Sequence, residues 1–281
     1  MQSFYETLTA AVADFTANGY DSAARLEAWT ARIREAAWRD LTPEHELAEA
    51  LRKVYEGVYA RVISPAGMAR VHPGAARFTV ANVAPRLRGE LARRTASSAQ
   101  LIKLNRQKAI ELTTQRFAGW ASSVPPGGSG AVEKVPVKTH IRKALAQLPF
   151  EERRVLIDQS AKFTAELNNI IAVDGGAIAM RWHSHWRQPH YNYRIDHKER
   201  DGQVYTLRSS WAINAGLMKA GPAGYYDDIT KVGQEIFCRC NAVWLYALRE
   251  LPADQLTIKG ASELERVRRA IAQGSGAAFH A

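Results

Sequence analysis

The stretch Ser122-Ser123-Val124-Pro125-Pro126-Gly127-Gly128-Ser129-Gly130 divides the chain into two parts of different character. Proline removes a backbone donor and glycine loosens the backbone, so this composition predicts a loop or a flexible linker. We place the linker at residues 122–137. Before it, residues 1–121 are predicted to form a helical region. After it, an α+β domain is predicted over residues 138–250, followed by a tail with a short helix over 251–281.

The region before the linker shows helical periodicity almost throughout. Apolar side chains recur at helical spacing from Phe4 to Phe15, and Asn18-Gly19 is typical of a helix end. Asp21 or Ser22 can cap a second helix, and Thr42-Pro43-Glu44 a third. Breaks are predicted at 64–67 and 72–74, with the helical pattern resuming past Pro85.

Beyond the linker, two helices are predicted at about 138–147 and 150–173, and then the pattern changes. Strand-forming residues alternate with turn residues at 179–182, 191–197, 204–208 and 237–245. Asp201-Gly202 is typical of a hairpin turn between two of these strands. The sequence therefore predicts an α+β fold, in which a helical N-terminal half is joined to a C-terminal α+β domain with a small, mostly antiparallel sheet.

Composition excludes several classes of protein. Of the 281 residues, 46% are hydrophobic and 23% charged, which is typical of a globular chain that needs no disulfide scaffold. No apolar run approaches the roughly 20 residues that span a bilayer. The first residues also lack the basic and apolar stretches of a signal peptide. We expect that the protein has no membrane partner and is made in a cytosol, where both cysteines stay reduced.

The positive charge is concentrated in one block. Residues 61–116 hold 11 basic and 2 acidic side chains, whereas the whole chain has 38 and 28. Clustered cations are attracted to the phosphates of duplex DNA irrespective of its base sequence. The candidate DNA-binding residues are Arg86, Arg88, Arg93, Arg94, Lys103, Arg106 and Lys108.

The only two cysteines, Cys238 and Cys240, are separated by one residue, and four histidines fall within 15 residues, at His183, His185, His190 and His197. Two thiolates and two imidazoles form a common tetrahedral zinc set. The candidate metal ligands are therefore Cys238, Cys240, His183 and His197, with zinc as a possible cofactor. The alternative is that the thiols are partly buried in a strand and the histidines form hydrogen bonds on a polar sheet face.

Two hydrolytic alternatives use the same segment. His183, His185 and Asp196 reproduce the ligand spacing of a JAMM-type zinc peptidase, although the serine of that motif is replaced by Tyr193. A metal-dependent nuclease could use Asp196-His197, Glu199 and Asp201.

A third alternative is a DNA-binding accessory protein, which would use the basic block alone.

Four runs in the C-terminal half carry a resemblance to a known family. They are Arg181-Trp182-His183-Ser184-His185, residues 193–202 from Tyr193 to Gly202, Ala220-Gly221-Pro222, and residues 233–240 ending in Cys238-Arg239-Cys240. Together they resemble the Mu F-like family of tailed-phage minor head proteins, also called head morphogenesis proteins. The resemblance covers about residues 138–250.

The resemblance implies a structural protein without catalytic residues. Such a protein would enter the procapsid at low copy number, lie inside the head at the portal vertex, and act in head assembly, DNA packaging or genome delivery. The implied partners are the portal protein, the major capsid or scaffold protein, and packaged double-stranded DNA. During assembly the protein would be found in the host cytoplasm.

Overall fold

The structure is a computed structural model that describes residues 2–76 and 78–273. It divides into two compact units. Unit 1 comprises the described residues of Met1–Arg52 and Thr95–Ile157, and unit 2 those of Lys53–Arg94 and Asp158–Ala281. Within the described ranges, no helix has both the length and the apolar composition needed to cross a membrane.

Helices make up most of the described chain. In order they are α1 (Phe4–Asn18), α2 (Ala23–Arg39), α3 (Glu44–Ile63), α4 (Pro65–Val71), α5 (Thr79–Ala121), α6 (Lys134–Asp174), α7 (Ile195–Glu199), α8 (Trp211–Asn214) and α9 (Ile258–Ala272). Single 3-10 turns occur at Tyr226–Asp228, Leu248–Glu250 and Ala253–Gln255. The predicted tail helix is α9, and residues 274–281 of the tail lie outside the described residues.

Side-chain caps fix where several helices begin. Ser3 and Glu6 form a capping box at α1, and Ser22 accepts a hydrogen bond from the N–H of Arg25 at α2. Residues 64–67, predicted as a break, instead begin the short helix α4. Ser64 Oγ accepts a bond from the N–H of Gly67, and Pro65 occupies the first turn, where its missing donor costs nothing.

Two prolines that were expected to mark helix boundaries lie inside long helices. α5 begins at Thr79, before Pro85, and α6 runs through Pro149, so the helices predicted at 138–147 and 150–173 are one. An internal proline removes one helical hydrogen bond and costs about 3 kcal/mol or more. Buried side chains next to each proline, Leu87 in α5 and Leu148 in α6, offset this cost by packing in the core.

The proline- and glycine-rich stretch is a loop packed on the end of α1. The N–H of Gly127 donates to the carbonyl of Asn18, and that of Ser129 to the carbonyl of Thr16. Gly128 has a φ of 83°, and an added Cβ would lie 2.4 Å from the carbonyl oxygen of Ala17. The loop prediction is correct for residues 122–133, whereas residues 134–137 of the predicted linker already belong to α6. Both sides of the loop belong to unit 1. The chain passes between units after residues 52, 94 and 157 instead, because α3, α5 and α6 each contribute to both units.

Unit 2 contains a small antiparallel sheet in the order β2-β1-β3, formed by β1 (Ala179–His183), β2 (Val204–Thr206) and β3 (Asn241–Leu245). Ala179 lies opposite Thr206 on one side and Leu245 on the other. Its inner face packs in a core that includes Met180, Trp182, Tyr205 and Trp244. The predicted α+β class and the mostly antiparallel sheet are therefore confirmed.

The strand prediction at 191–197 is wrong. These residues form a loop and the start of α7. Arg194 Nη2 donates to the carbonyl of Ile236, and the N–H of Arg239 donates to the hydroxyl of Tyr191, so side chains and not a strand ladder hold this segment. Asp201-Gly202 does form a turn, with Gly202 at a φ of 80°, but it leads from α7 into β2. Only residues 241–245 of the strand predicted at 237–245 pair with β1, because the backbone turns at Phe237, which has a φ of 57°.

Residues 53–94 complete the core of unit 2. Tyr55 of α3 packs edge to face on Phe163 of α6, with 5.6 Å between the ring centroids. The buried ring of His72 has Nδ1 2.7 Å from the hydroxyl of Tyr246 and Nε2 3.0 Å from the amide oxygen of Asn168. Burial lowers the pKa of His72, so the neutral ring is favoured in the fold. The segment is therefore an integral part of unit 2.

Candidate metal centre

Three of the four predicted metal ligands meet in unit 2. His197 Nδ1 lies 3.5 Å from Cys240 Sγ and 3.8 Å from Cys238 Sγ. The three ligand atoms all lie within 4.8 Å of one another, and all three residues are buried. Both cysteines are free thiols. We call these residues the Cys₂His cluster.

The local fold places the two thiols together. The N–H of Phe237 donates to Asp158 Oδ1 at 2.6 Å, and the N–H of Cys238 donates to the carbonyl of Glu235. These bonds turn the chain immediately before β3. Cys240 directly precedes β3, so the pairing of β3 with β1 holds it near the buried hydroxyl of Ser184, 3.9 Å from its sulfur.

The other edge of the His197 ring faces carboxylates. Nε2 lies 3.6 Å from Glu235 Oε1 and 3.9 Å from Asp196 Oδ2, and it is buried without a hydrogen-bond partner in the described structure. Arg194 Nε lies 2.5 Å from Glu235 Oε2 and orients that carboxylate. The indole of Trp182 packs against the imidazole at 5.2 Å between ring centroids. The ring is thus held with one nitrogen toward the thiols and the other toward Glu235.

The two thiols bind protons with unequal strength. A hydrogen bond from Cys240 lowers the pKa of Cys238, and the same bond raises the pKa of Cys240. Because the thiols are so close, they titrate as a pair, and the pair loses its first proton more readily than an isolated thiol does. The thiolate is the form of cysteine that binds metals and attacks electrophiles.

A cavity of about 530 Å³ reaches both sulfur-bearing residues. Its lining includes Cys238 and Cys240 together with the polar residues Arg70, Asn168 and Arg239. The cavity gives a small ion or molecule a route to the two cysteines.

The prediction of His183 as a ligand is wrong. Its side chain is 62% exposed, and Nδ1 lies 3.7 Å from Asp201 Oδ1. Side chains alternate along a strand, so β1 directs Trp182 into the core and the next residue, His183, to the opposite face. The cluster therefore has one imidazole, and the expected Cys₂His₂ set is not formed.

The ligand set of the peptidase alternative, His183, His185 and Asp196, is not among the described groups whose donor atoms lie close enough to hold a metal ion. His185 Nε2 lies 2.9 Å from the amide nitrogen of Asn241, whereas Asp196 forms an ion pair with Arg200 at 2.9 Å. Within residues 2–76 and 78–273, the groups with metal-binding geometry are the Cys₂His cluster and the trio of Asp196, His197 and Glu235.

Asp201, named in the nuclease alternative, has a structural role in this fold. It accepts hydrogen bonds from the N–H of Ser184 at 2.8 Å and from the indole of Trp186 at 3.0 Å. The backbone bond from Ser184 is the main cause that lowers the pKa of Asp201. Sequence reasoning missed Glu235 and Ser184 as neighbours of the cluster, although both lie within the runs that carry the family resemblance.

The structure distributes the seven predicted DNA-binding residues among different roles. Arg94 and Arg106 are buried. Arg94 contacts Glu90 and Gln159, and Arg106 forms an ion pair with Glu152. Neither side chain is therefore available to a phosphate. Arg86, Arg93 and Lys103 form ion pairs with Asp174, Glu90 and Glu44. Arg88 and Lys108 are exposed. The prediction of one basic surface is wrong for the two buried arginines, because helical periodicity turns them toward the core.

Comparisons with known proteins add no relative to this description. No family model, no curated protein and no solved structure matches the chain. The interpretation of the site therefore depends on the geometry of its residues.

Proposed function

We propose that this protein is a structural minor head protein of a tailed phage. It acts inside the head at the portal vertex, in procapsid assembly, DNA packaging or genome delivery, and it is present in the host cytoplasm during assembly. The observation that carries the proposal is that residues from three of the four runs behind the family resemblance, 181–185, 193–202 and 233–240, form one connected, mostly buried network in unit 2.

Each link of this network is visible in the geometry. Asp201 holds the backbone of Ser184, Ser184 lies beside Cys240, and Cys240 contacts His197, which packs on Trp182. These residues join β1, α7 and the segment before β3. Side chains that hold separate chain segments together support a structural role for the signature.

Unit 1 offers a surface suited to a helical partner. Phe150 and Ile157 lie seven residues apart on α6, on one helical face, and are 62% and 56% exposed. Contiguous apolar surface exposed on a soluble protein is typical of interaction sites. We assign this face to the portal protein, with scaffold or major capsid protein as further neighbours in the procapsid.

The test is light scattering of the purified protein alone and mixed with the portal protein of its own phage. We expect a stable complex of defined stoichiometry. The double variant Phe150→Ser/Ile157→Ser should bind at least tenfold more weakly. The matched control, Ile258→Ser/Ile271→Ser, removes two exposed isoleucines of α9 and should bind normally.

A second measurement covers the case in which the portal alone is insufficient. Portal, scaffold and major capsid protein are co-expressed with this chain, and the purified procapsids are analysed for its presence. If the protein is absent from these procapsids and also fails to bind the portal, the proposed function is wrong.

A further inference from the structure

We propose that Cys238, Cys240 and His197, the last through Nδ1, bind one Zn²⁺ ion with a water molecule in the fourth position. The ion would tie the segment before β3 to α7. This inference does not depend on the proposed function, because metal content can be measured without a phage partner.

The donor atoms favour a borderline-soft metal. Two thiolates and one imidazole suit Zn²⁺, whereas Mg²⁺ and Ca²⁺ prefer oxygen ligands. The carboxylates of Asp196 and Glu235 lie on the other side of His197, near Nε2. The donors on the Nδ1 side are therefore sulfur and nitrogen.

The spacing of the donors fits a tetrahedral site. Zinc lies about 2.3 Å from sulfur and about 2.0–2.1 Å from nitrogen, which places sulfur and nitrogen ligands about 3.6 Å apart. The two observed separations from His197 Nδ1, 3.5 Å to Cys240 Sγ and 3.8 Å to Cys238 Sγ, are close to this value. The two sulfur atoms also lie within 4.8 Å of each other.

The surroundings of His197 match those of a metal-bound histidine. Such a ring commonly donates its other N–H to a carboxylate, which fixes its tautomer and orientation. Here Nε2 is buried, has no hydrogen-bond partner among the described residues, and lies 3.6 Å from Glu235 Oε1. Metal on Nδ1 would place the proton on Nε2, facing this carboxylate.

The fold also gives the ion a path to the cluster, and it contains a long irregular segment that a metal cross-link would stabilise. The cavity beside Cys238 and Cys240 can admit the ion and the water that completes its coordination. Between β2 and β3 the chain has only α8 and one 3-10 turn over more than 30 residues. Long irregular segments gain most from a cross-link, and Cys238 is 41 residues from His197.

The test uses the full chain, purified without a chelator and without a histidine tag. We expect about one zinc per chain by elemental mass spectrometry. X-ray absorption at the zinc edge should show two sulfur ligands at about 2.3 Å and nitrogen or oxygen ligands at about 2.0–2.1 Å.

Variants assign the ligands. Cys238→Ser, Cys240→Ser and His197→Ala should each lower bound zinc at least tenfold. The matched controls His183→Ala and His185→Ala remove nearby histidines that lie outside the cluster, and they should keep the full zinc content. Circular dichroism of every variant reports whether it folds, and the absorption spectrum of the unmodified protein identifies the ligands even if a cysteine variant does not.

Four results would overturn the proposal. The first is less than a tenth of an equivalent of zinc after incubation with excess zinc and removal of the free ion. The second is an absorption spectrum without sulfur ligands. The third is full zinc content in a folded Cys238→Ser/Cys240→Ser variant. Tight binding of copper or iron in place of zinc would also contradict it.

Discussion

The Cys₂His cluster and the basic block of residues 61–116 were both predicted as sites, and the fold treats them in opposite ways. In the cluster, residues 41 and 43 positions apart come within 4 Å of each other and are buried. In the basic block, residues that are close along the chain lie on different sides of their helix. Arg88 is exposed and Arg94 is buried, although they are only six residues apart.

The difference lies in what each pattern encodes. Few partners interact favourably with a buried cysteine or histidine side chain. When both residue types occur in one small sheet domain, their positions in the fold are therefore constrained. Lysine and arginine are satisfied by water, by a carboxylate or by a phosphate, so a local excess of them does not define a surface. Charge counts are therefore weaker predictors of a site than a set of metal-binding residue types.

The largest effect should come from removal of zinc. If free zinc exceeds its dissociation constant by 100- to 1,000-fold, binding stabilises the folded state by ~3–4 kcal/mol, and a strong chelator removes this stabilisation. We expect the chelator to lower the midpoint of urea unfolding clearly, and tryptophan fluorescence measures this midpoint. The Cys238→Ser/Cys240→Ser variant should not respond to the chelator. If the chelator leaves the midpoint of the unmodified protein unchanged, the Cys₂His cluster is no better supported as a site than the basic block.

A smaller effect should follow from Arg106→Ala, which tests whether part of the basic block is structural. The guanidinium is 5% exposed, lies 2.7 Å from Glu152 Oε1 and also donates to the carbonyl of Thr42. Its loss leaves a half-buried carboxylate unpaired, and the free energy of unfolding should fall by about 2–3 kcal/mol.

Urea unfolding of Arg106→Ala measures this change. A second substitution, Glu152→Gln, removes the unpaired charge and should restore part of the loss. A fall below about 0.5 kcal/mol would mean that Arg106 behaves as an ordinary surface residue and would return it to the list of DNA contacts.

The smallest effect on stability should come from Arg88→Ala and Lys108→Ala, the exposed members of the block. Each should change the free energy of unfolding by less than about 0.5 kcal/mol. If each side chain contacts one phosphate, the slope of log affinity for random duplex DNA against log salt should become shallower by about 0.9.

Fluorescence anisotropy over a salt series measures this slope. Arg268→Ala, which removes an exposed arginine of α9 outside the block, is the control and should leave the slope unchanged. A slope that does not move with Arg88 or Lys108 would exclude that residue from DNA contact, and the basic block would then have no demonstrated role beyond stability.

Much of the fold was predictable because local patterns agree with tertiary packing. The cap at Ser22 and the strand at 179–182 appear nearly where the sequence predicts them. The failures occur where long-range contacts override local preference. Pro149 stays within a helix because α6 is packed on both sides of it. Residues 191–197 do not form a strand, because Tyr191 and Arg194 are held through their side chains by the segment before β3.

The candidate site was predictable in composition and only partly in geometry. The residue types identified Cys238, Cys240 and His197, but spacing could not distinguish His197 from His183. The distinction depends on strand alternation at Trp182, which sends its neighbour outward, and on the short helix α7, which was predicted as a strand. The orientation of Glu235 toward the His197 ring arises only from the folded backbone.

The discontinuity of unit 2 has a consequence for protein synthesis. Unit 1 is complete once residue 157 has been made, whereas residues 53–94 must wait for partners that are translated much later. Tyr55 meets Phe163, and His72 meets Tyr246, which is 174 residues further along the chain. On the ribosome, unit 1 can therefore fold first, whereas residues 53–94, which are inserted in its sequence but belong to unit 2, complete their packing only after the sheet has been made.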